Sequence, residues 1–325
     1  MPSNKVNLTD QEFINAYQHH GPEWIAHQFD IVVRTVHSRR ARLEKKLGSA
    51  IVAPGGSNAG GSRFDPPNPE KAVQKLDIKE GVVLVGSDGH YWPGVESTAH
   101  RALVEFASSL RPRAIIFNGD ALDGATISRH PPIGWEHAPS LEDELAEVRV
   151  RLGEIAAAAP KACPLYWPLG NHDGRFNTRL ASLTPEFRNV PGTRLVHHFP
   201  DWTPCWAVEC GGRDGAVVKH RMRGGNYAPF NNTLWAGRTM VTGHLHSQKV
   251  LPLTDYNGTR WGVDTGCIAP AVAPQFLYQE CNPSNHRSGF AVLTWWKGQL
   301  LPPELLTVID EEKGLVVWRG EVSKV

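Results

Sequence analysis

Ala114-Ile115-Ile116-Phe117-Asn118-Gly119-Asp120-Ala121-Leu122-Asp123 is the stretch that decides the fold. Four apolar residues, two of them β-branched, run straight into a glycine and two carboxylates. A buried parallel strand reads this way when it delivers polar side chains to the carboxyl edge of its sheet. The same grammar recurs. Val82–Gly86 leads to Asp88-Gly89-His90, Pro164–Leu169 leads to Gly170-Asn171-His172-Asp173, and Thr239–Thr242 leads to Gly243-His244-Leu245-His246. A further cluster, Val218-Lys219-His220, lies between the last two. Asp, Asn and His offer only oxygen and nitrogen donors, a set that suits a pair of hard or borderline divalent cations better than a structural zinc. In an extended segment, residues i and i+2 point the same way, so Asp88 and His90 are expected to bind one ion while Gly89 lets the backbone pass close.

Helices are expected at about Ser97–Leu110 and Leu141–Ala158, between the strands, which makes parallel βαβ units. Asn226–Ala236 reads as another helix, and Ala291–Trp295 and Leu315–Trp318 as closing antiparallel strands. The 325 residues suffice for one large α/β domain plus a small module. A formal net charge of +1 excludes a globally basic nucleic-acid binder, so any basic surface must be local. Five cysteines form no C-x-x-C pair, which favours a reducing compartment. Met1–Asp10 lacks the pattern of a signal peptide and no apolar run reaches the length of a membrane span, so a cytoplasmic enzyme without membrane contact is expected.

The five clusters, in this order over roughly residues 82–270, resemble the calcineurin-like metallophosphoesterase superfamily, whose motifs run D-x-H, G-D-x-x-D, G-N-H-(D/E), a lone His, then G-H-x-H. The resemblance implies an α/β four-layer sandwich, two mixed β-sheets flanked by helices. It implies that Asp88, His90 and His246 hold one metal, that Asn171, His220 and His244 hold a second, and that Asp120 bridges them. Water between two such ions loses a proton near neutral pH, so hydroxide attacks without a separate general base. By the same resemblance His172 is the general acid and Asp123 orients it, with Asp173 behind them; capping of the following helices is the alternative for both aspartates. Manganese is the first expectation, with iron, zinc, nickel or magnesium as alternatives. His220 stands in a Lys-His-Arg context where His-Gly is usual, and His197 and His198 are the neighbouring alternatives. Val263-Asp264-Thr265-Gly266 reads as structural. The loop from Gly124 to Pro139 carries Arg129 and His130, candidates for substrate phosphate, against an equal reading as a loop packed on its own Pro and Trp.

Residues 8–47 read as a small all-α module of three helices, about Gln11–Gln18, Glu23–Phe29 and Val33–Leu47. With Ala26, Ile31 and Val36 as the locking positions, the module resembles a helix-turn-helix. Asp30 stands where glycine is usual, which its short side chain tolerates. Arg34, His37, Arg39, Arg40 and Arg42 on the third helix would then face DNA; a charged helix for partner contacts is the plain alternative. A single copy of such a motif usually works as a dimer, which leaves a homodimer open. Residues 48–76 read as a Gly/Pro/Ser-rich linker and 77–325 as the catalytic domain. The function expected is hydrolysis of phosphodiesters in nucleic acid or nucleotides. A phosphomonoesterase or protein phosphatase of the same fold, or a non-catalytic DNA-binding regulator, are the alternatives.

Overall fold

The computed structural model describes residues 8–49, 51, 53, 72–128, 138–280 and 282–325. Most of the expected linker lies outside them, as do Arg129 and His130. The chain divides into two compact units, Met1–Asn68 and Pro69–Val325.

In the first unit, α1 (Asp10–His20) starts at a capping box in which Thr9 and Glu12 satisfy each other's backbone N–H groups. Gly21 at φ 85° ends it, and Pro22 opens α2 (Pro22–Gln28), where a missing N–H costs nothing. The chain then turns through Asp30 at φ 48°. The Ile31 amide bonds the Ala26 carbonyl at 3.0 Å, and α3 (Val33–Leu47) follows, ended by Gly48 in the left-handed region. Phe13, Tyr17, Ile25, Ala26, Val36 and Leu43 form the core, with Ile31 against it. Ala26 and Val36 thus belong to this core and Ile31 packs on it.

The second unit holds two sheets. The smaller contains β1 (Val73–Leu76), β6 (Ala207–Cys210), β7 (Ala216–Val218), β8 (Thr239–Thr242), β9 (Lys249–Asp255) and β10 (Gly258–Asp264), in the order β1-β6-β7-β8-β10-β9. The larger sheet has a central parallel run of β2 (Gly81–Gly86), β3 (Ala114–Phe117), β4 (Leu165–Pro168) and β5 (Thr203–Cys205). Antiparallel strands β11 (Gly289–Trp296), β13 (Glu304–Asp310), β14 (Leu315–Trp318) and β15 (Glu321–Lys324) extend it from β2, with β12 (Gln299–Leu300) paired to β11.

Strand alternation builds the layers. Val83 and Val85 of β2, Ile116 of β3 and Leu293 of β11 face the smaller sheet, where they meet Val208, Val218, Val241 and Val263. The residues between them, Leu84, Ile115, Phe117 and Val292, face the other way and pack on α4 (Thr98–Ser109) and α5 (Leu141–Ala158) through Leu103, Val148 and Leu152. On the far side, α7 (Ala228–Ala236) lies on β8, β9 and β10. The backbone of Pro229 comes so close to Gly262 that a Cβ there would meet its carbonyl at 2.1 Å. The result is the α/β four-layer sandwich expected, two mixed sheets flanked by helices.

One expected boundary is corrected. Val73–Leu76, read as the end of the linker, is a strand: it pairs in parallel register with Ala207–Cys210, and Leu76 packs into the core between the sheets. Two apolar residues flanking Gln74 and Lys75 make a pattern too short to be told from linker by composition. A chain begun at Asp77 removes this strand and leaves β6 as an edge. Such a chain is expected to unfold in urea at least about 2 kcal/mol less stable than one begun at Pro69, the scale of one lost buried aliphatic side chain.

A buried imidazole between α4 and α5 gives a pH signature. His100 Nδ1 faces Tyr91 Oη at 3.0 Å and Nε2 faces Glu154 at 2.8 Å. Burial, only partly offset by the Glu154 contact, pushes its pKa down from 6.5 to about 4. The folded state therefore binds fewer protons than the unfolded one between those values, and stability is lost as pH falls through that window. His100→Gln is expected to flatten this slope by up to about 3 kcal/mol between pH 7 and pH 4, measured by urea unfolding across the range.

Candidate metal centre

Past the ends of the strands, the loops stay zipped to one another. The Asp88 amide bonds the Gly119 carbonyl at 2.9 Å, the His90 amide the Asp120 carbonyl at 2.9 Å, and on the other side the Ala269 amide bonds the Asp88 carbonyl at 3.1 Å. This second tier of hydrogen bonds holds the polar clusters of β2, β3 and β10 in register. The backbone there is not extended as the i, i+2 spacing suggested. Asp88 (φ 54°), His90 (38°), Asp120 (52°), His244 (74°) and His246 (55°) all sit in the left-handed region. Each costs on the order of 1–2 kcal/mol for a residue with a Cβ, and such strain gathers at sites that need side chains aimed inward.

Six of the seven expected ligands fall into two trios, Asp88 with His90 and His246, and Asp120 with His220 and His244. Within each trio the ligand atoms lie within 4.8 Å of one another. Asn171, the seventh, has a buried Oδ1 without a hydrogen-bond partner among the described residues. His220 is the lone histidine of the pattern; His197 and His198 instead bond the backbone of Gly192, at 3.3 and 2.8 Å.

Three of the imidazoles are set alike. His90 Nδ1 donates to Asp123 at 2.9 Å and His220 Nδ1 donates to the Asn118 carbonyl at 2.8 Å. His246 Nδ1 faces His286 Nδ1 at 3.4 Å, an atom that also accepts from Gln279 Nε2 at 2.9 Å. In each ring Nδ1 is engaged outward and Nε2 is turned toward the buried carboxylates, 3.0 Å from Asp120 Oδ2 for His220 and 3.1 Å from Asp88 Oδ1 for His246, the orientation in which an imidazole can serve a metal. Among the described residues His90 Nε2 is buried without a hydrogen bond. A buried orphan nitrogen and further ring nitrogens beside buried carboxylates fit divalent cations.

The electrostatics agree. Burial alone would raise Asp88, but the charges of His246 and His220 hold it down at about 2. Asp120 is likewise held well below the usual carboxylate range by His220 despite its burial. In return His220 is driven up to about 10, because the two carboxylates outweigh its own desolvation. Two desolvated anions at one edge call for positive charge.

His172 stands beside this edge, its ring in edge contact with that of His90, centroids 4.6 Å apart. Its Nδ1 lies 3.2 Å from Asp123 Oδ1 and 2.9 Å from the Asp123 carbonyl. Asp123 thus serves two rings, His172 as expected and His90 as well. Burial pulls the His172 pKa down, but the Asp123 contact and the Asp120 charge outweigh it and leave it raised. Asp173 does not cap a helix. It accepts the amides of Asp120, Ala121, Leu122 and Gly170 and the indole of Trp167, tying the loop after β3 to the start of α6 (Asp173–Leu183).

Several participants are absent from the sequence reading. Arg175 bonds the Asp123 carbonyl at 2.8 Å and reaches His172 Nε2 at 3.1 Å; its spacing of three from His172 on one helix turn was the available signal. Ser87 bonds Asp88 Oδ2 and Thr265 Oγ1, which makes the Val263–Gly266 turn a support for the ligand. His286 and Gln279 lie in an irregular segment that carries no pattern. On α3, Arg34, His37 and Arg42 are exposed. Arg39 instead lies over the Phe13 ring at 4.7 Å and bonds the Leu8 carbonyl, while Arg40 bonds Tyr17 Oη at 3.2 Å. These two hold the module together.

Glycines mark how tightly the centre is built. A Cβ on Gly170 would meet Asp120 Oδ1 at 2.0 Å, whereas one on Gly174, four residues on, meets nothing within 4 Å. Gly170→Ala is expected to abolish the binding of manganese to the full chain, read by metal content after dialysis. Gly174→Ala should keep the metal and stabilise the helix by up to about 1 kcal/mol.

No protein-family model and no curated protein matches the sequence. Among solved structures, Vps29 of Cryptosporidium parvum is 12% identical, with 76% of this chain and 100% of that chain covered and a TM-score of 0.40. Vps29 of Entamoeba histolytica, complexed with zinc, is 12% identical over 74% of this chain and 98% of that one, with a TM-score of 0.38. A predicted phosphoesterase of Streptococcus pneumoniae is 13% identical over 76% and 97%, with a TM-score of 0.31. Two mixed sheets between helix layers, with Asp and His side chains of the motifs brought together in two trios, are the architecture that the resemblance to the calcineurin-like metallophosphoesterase superfamily implies.

Proposed function

We propose that the protein is a two-cation phosphodiesterase acting on nucleic acid or nucleotides. The observation that carries the chemistry is the common setting of His90, His220 and His246, each anchored through Nδ1 with Nε2 turned toward a buried carboxylate. Asp88, His90 and His246 would hold one divalent cation, and His220, His244 and Asn171 a second, with Asp120 shared; manganese is the first expectation for both. When bound, such a pair supplies Lewis-acid polarisation of the phosphoryl oxygens and lowers the pKa of water.

The remaining steps belong to the chain's own side chains. His172 gives a proton from Nε2 to the departing oxygen, while Asp123 on Nδ1 fixes the tautomer and stabilises the imidazolium. Arg175 reaches the same Nε2. An anionic oxygen entering between them takes donors from both, which places Arg175 on the phosphate. Exposed Arg34, His37 and Arg42 on α3 support a nucleic-acid substrate, with the three-helix module acting as a DNA-binding helix-turn-helix. Its retention on DNA should then weaken steeply with salt.

With manganese, release from a chromogenic bis-phosphodiester is expected to exceed release from its monoester. A large monoester preference overturns the diester reading. His172→Ala should lower kcat by a factor on the order of 10²–10⁴ with metal content unchanged, measured on the diester alongside elemental analysis.

A further inference from the structure

Residues 215–254 contain no Asp or Glu, although five cations, Lys219, Arg221, Arg223, Arg238 and Lys249, fall within them. This segment supplies His220, His244 and His246 to the centre, and between them lie a loop and α7. The helix buries Ala228, Pro229, Asn232 and Thr233. Its opposite face is apolar and uncovered: Tyr227 is 72% exposed, Trp235 65% and Leu234 53%. Spacing of three and four places Tyr227, Phe230 and Leu234 in one stripe.

The mounting is rigid. The Arg223 amide bonds Asn232 Oδ1 at 3.0 Å, Lys249 Nζ bonds the Asn226 carbonyl at 3.2 Å, and the Arg223 guanidinium lies 3.9 Å over the Trp235 ring. Arg221 follows His220 directly and is close enough for its charge to act on His244. Arg238 pairs with Glu209 at 3.2 Å, but Arg221 and Arg223 have no carboxylate partner among the described residues; such cations select a polyanion, and exposed rings beside them select flat bases. Surfaces that bind single strands combine these two features.

We propose that the loop from Arg221 to Tyr227 and the outer face of α7 form a stacking platform for the bases of a single-stranded nucleic acid whose backbone runs into the metal centre. The inference rests on the phosphodiesterase reading and adds the strand state of the substrate and the direction from which it enters. Arg221 and Arg223 meet phosphates upstream or downstream of the scissile one, while Tyr227 and Trp235 receive bases. A protein partner would find the same apolar stripe, but the complete lack of acidic residues in the surrounding segment favours the nucleic acid.

The test uses the full chain with manganese and a short oligothymidylate carrying 5-iodouracil, cross-linked by light and mapped by peptide analysis. Adducts are expected within residues 221–235. In the double variant Tyr227→Ala, Trp235→Ala they should fall at least about fivefold, and kcat/KM for the oligonucleotide should fall by about 5- to 100-fold relative to that for the small chromogenic diester. Adducts confined to residues 8–49, or an unchanged ratio of the two substrates, overturn the platform. So does a shift of the double variant to a smaller species in sedimentation with cross-linking intact, which would make the stripe an interface between copies. If the wild-type chain cleaves neither diester yet forms adducts within 221–235, the platform stands and the enzymatic reading falls.

Discussion

Burying Asp88 and Asp120 at the ends of neighbouring parallel strands is the constraint on which the rest of this structure depends. A carboxylate with no exposure forfeits hydration worth several kcal/mol and is tolerated only where protein groups or a cation replace the lost water. The chain supplies part of that replacement as backbone amides: His244 N–H reaches Asp88 Oδ2 at 2.8 Å and His172 N–H reaches Asp120 Oδ1 at 2.7 Å. Delivering those amides requires loops that approach without side chains in the way, hence Gly243 and Gly170, where a Cβ would strike Asp88 and Asp120. It also requires backbone in the left-handed region at the ligands themselves. The imidazoles then complete a shell that remains short of positive charge.

The division of labour among the remaining acids follows from the same edge. Asp173 is as buried as the two ligands, but four backbone amides and an indole converge on it, so its role is to clamp the loop after β3. The nearby negative charge of Asp120, added to burial, lifts its pKa to about 6. Asp123 differs because its partners are imidazoles, and they hold it well below the usual carboxylate range in spite of burial. Adjacent carboxylates thus differ in task according to whether amides or rings surround them.

What could be read from sequence was whatever chemistry dictates by residue type. An apolar run ending in Gly-Asp or Gly-Asn-His announces a strand and its cargo, and the two trios contain no residue foreign to those motifs. Dihedral angles leave no such mark. The left-handed turns at His90 and His246 look, in sequence, like ordinary i, i+2 alternation. Val73–Leu76 was lost to the linker because a four-residue edge strand with Gln74 and Lys75 on it has too little pattern to stand out. Arg39 and Arg40 share the composition of a DNA-facing helix with Arg34 and Arg42. Only the packing of α1 against α3 distinguishes those that lie over Phe13 and Tyr17 from those that face solvent. His286 reaches His246 from a segment whose course depends on tertiary contacts alone, chiefly the ring of Phe276, centroids 5.2 Å apart.

Charge arithmetic ties the centre to its surroundings. As folded, the edge is anionic and would repel a phosphodiester. On the proposed reading, two divalent cations against the carboxylates of Asp88 and Asp120 leave an excess of roughly two positive charges, so affinity for the substrate exists only after the metals are held. The acid-free segment that follows β7 then extends this positive potential outward over Arg221 and Arg223 to α7. On the same reading a rim of predominantly one sign would focus the field toward the site. An acid placed anywhere on that rim would compete with the substrate for the cations or with the ligands for protons. That competition gives a physical reason for a segment carrying three of the ligand histidines to contain no carboxylate, and it makes the composition of the rim part of the site's design rather than of its packing.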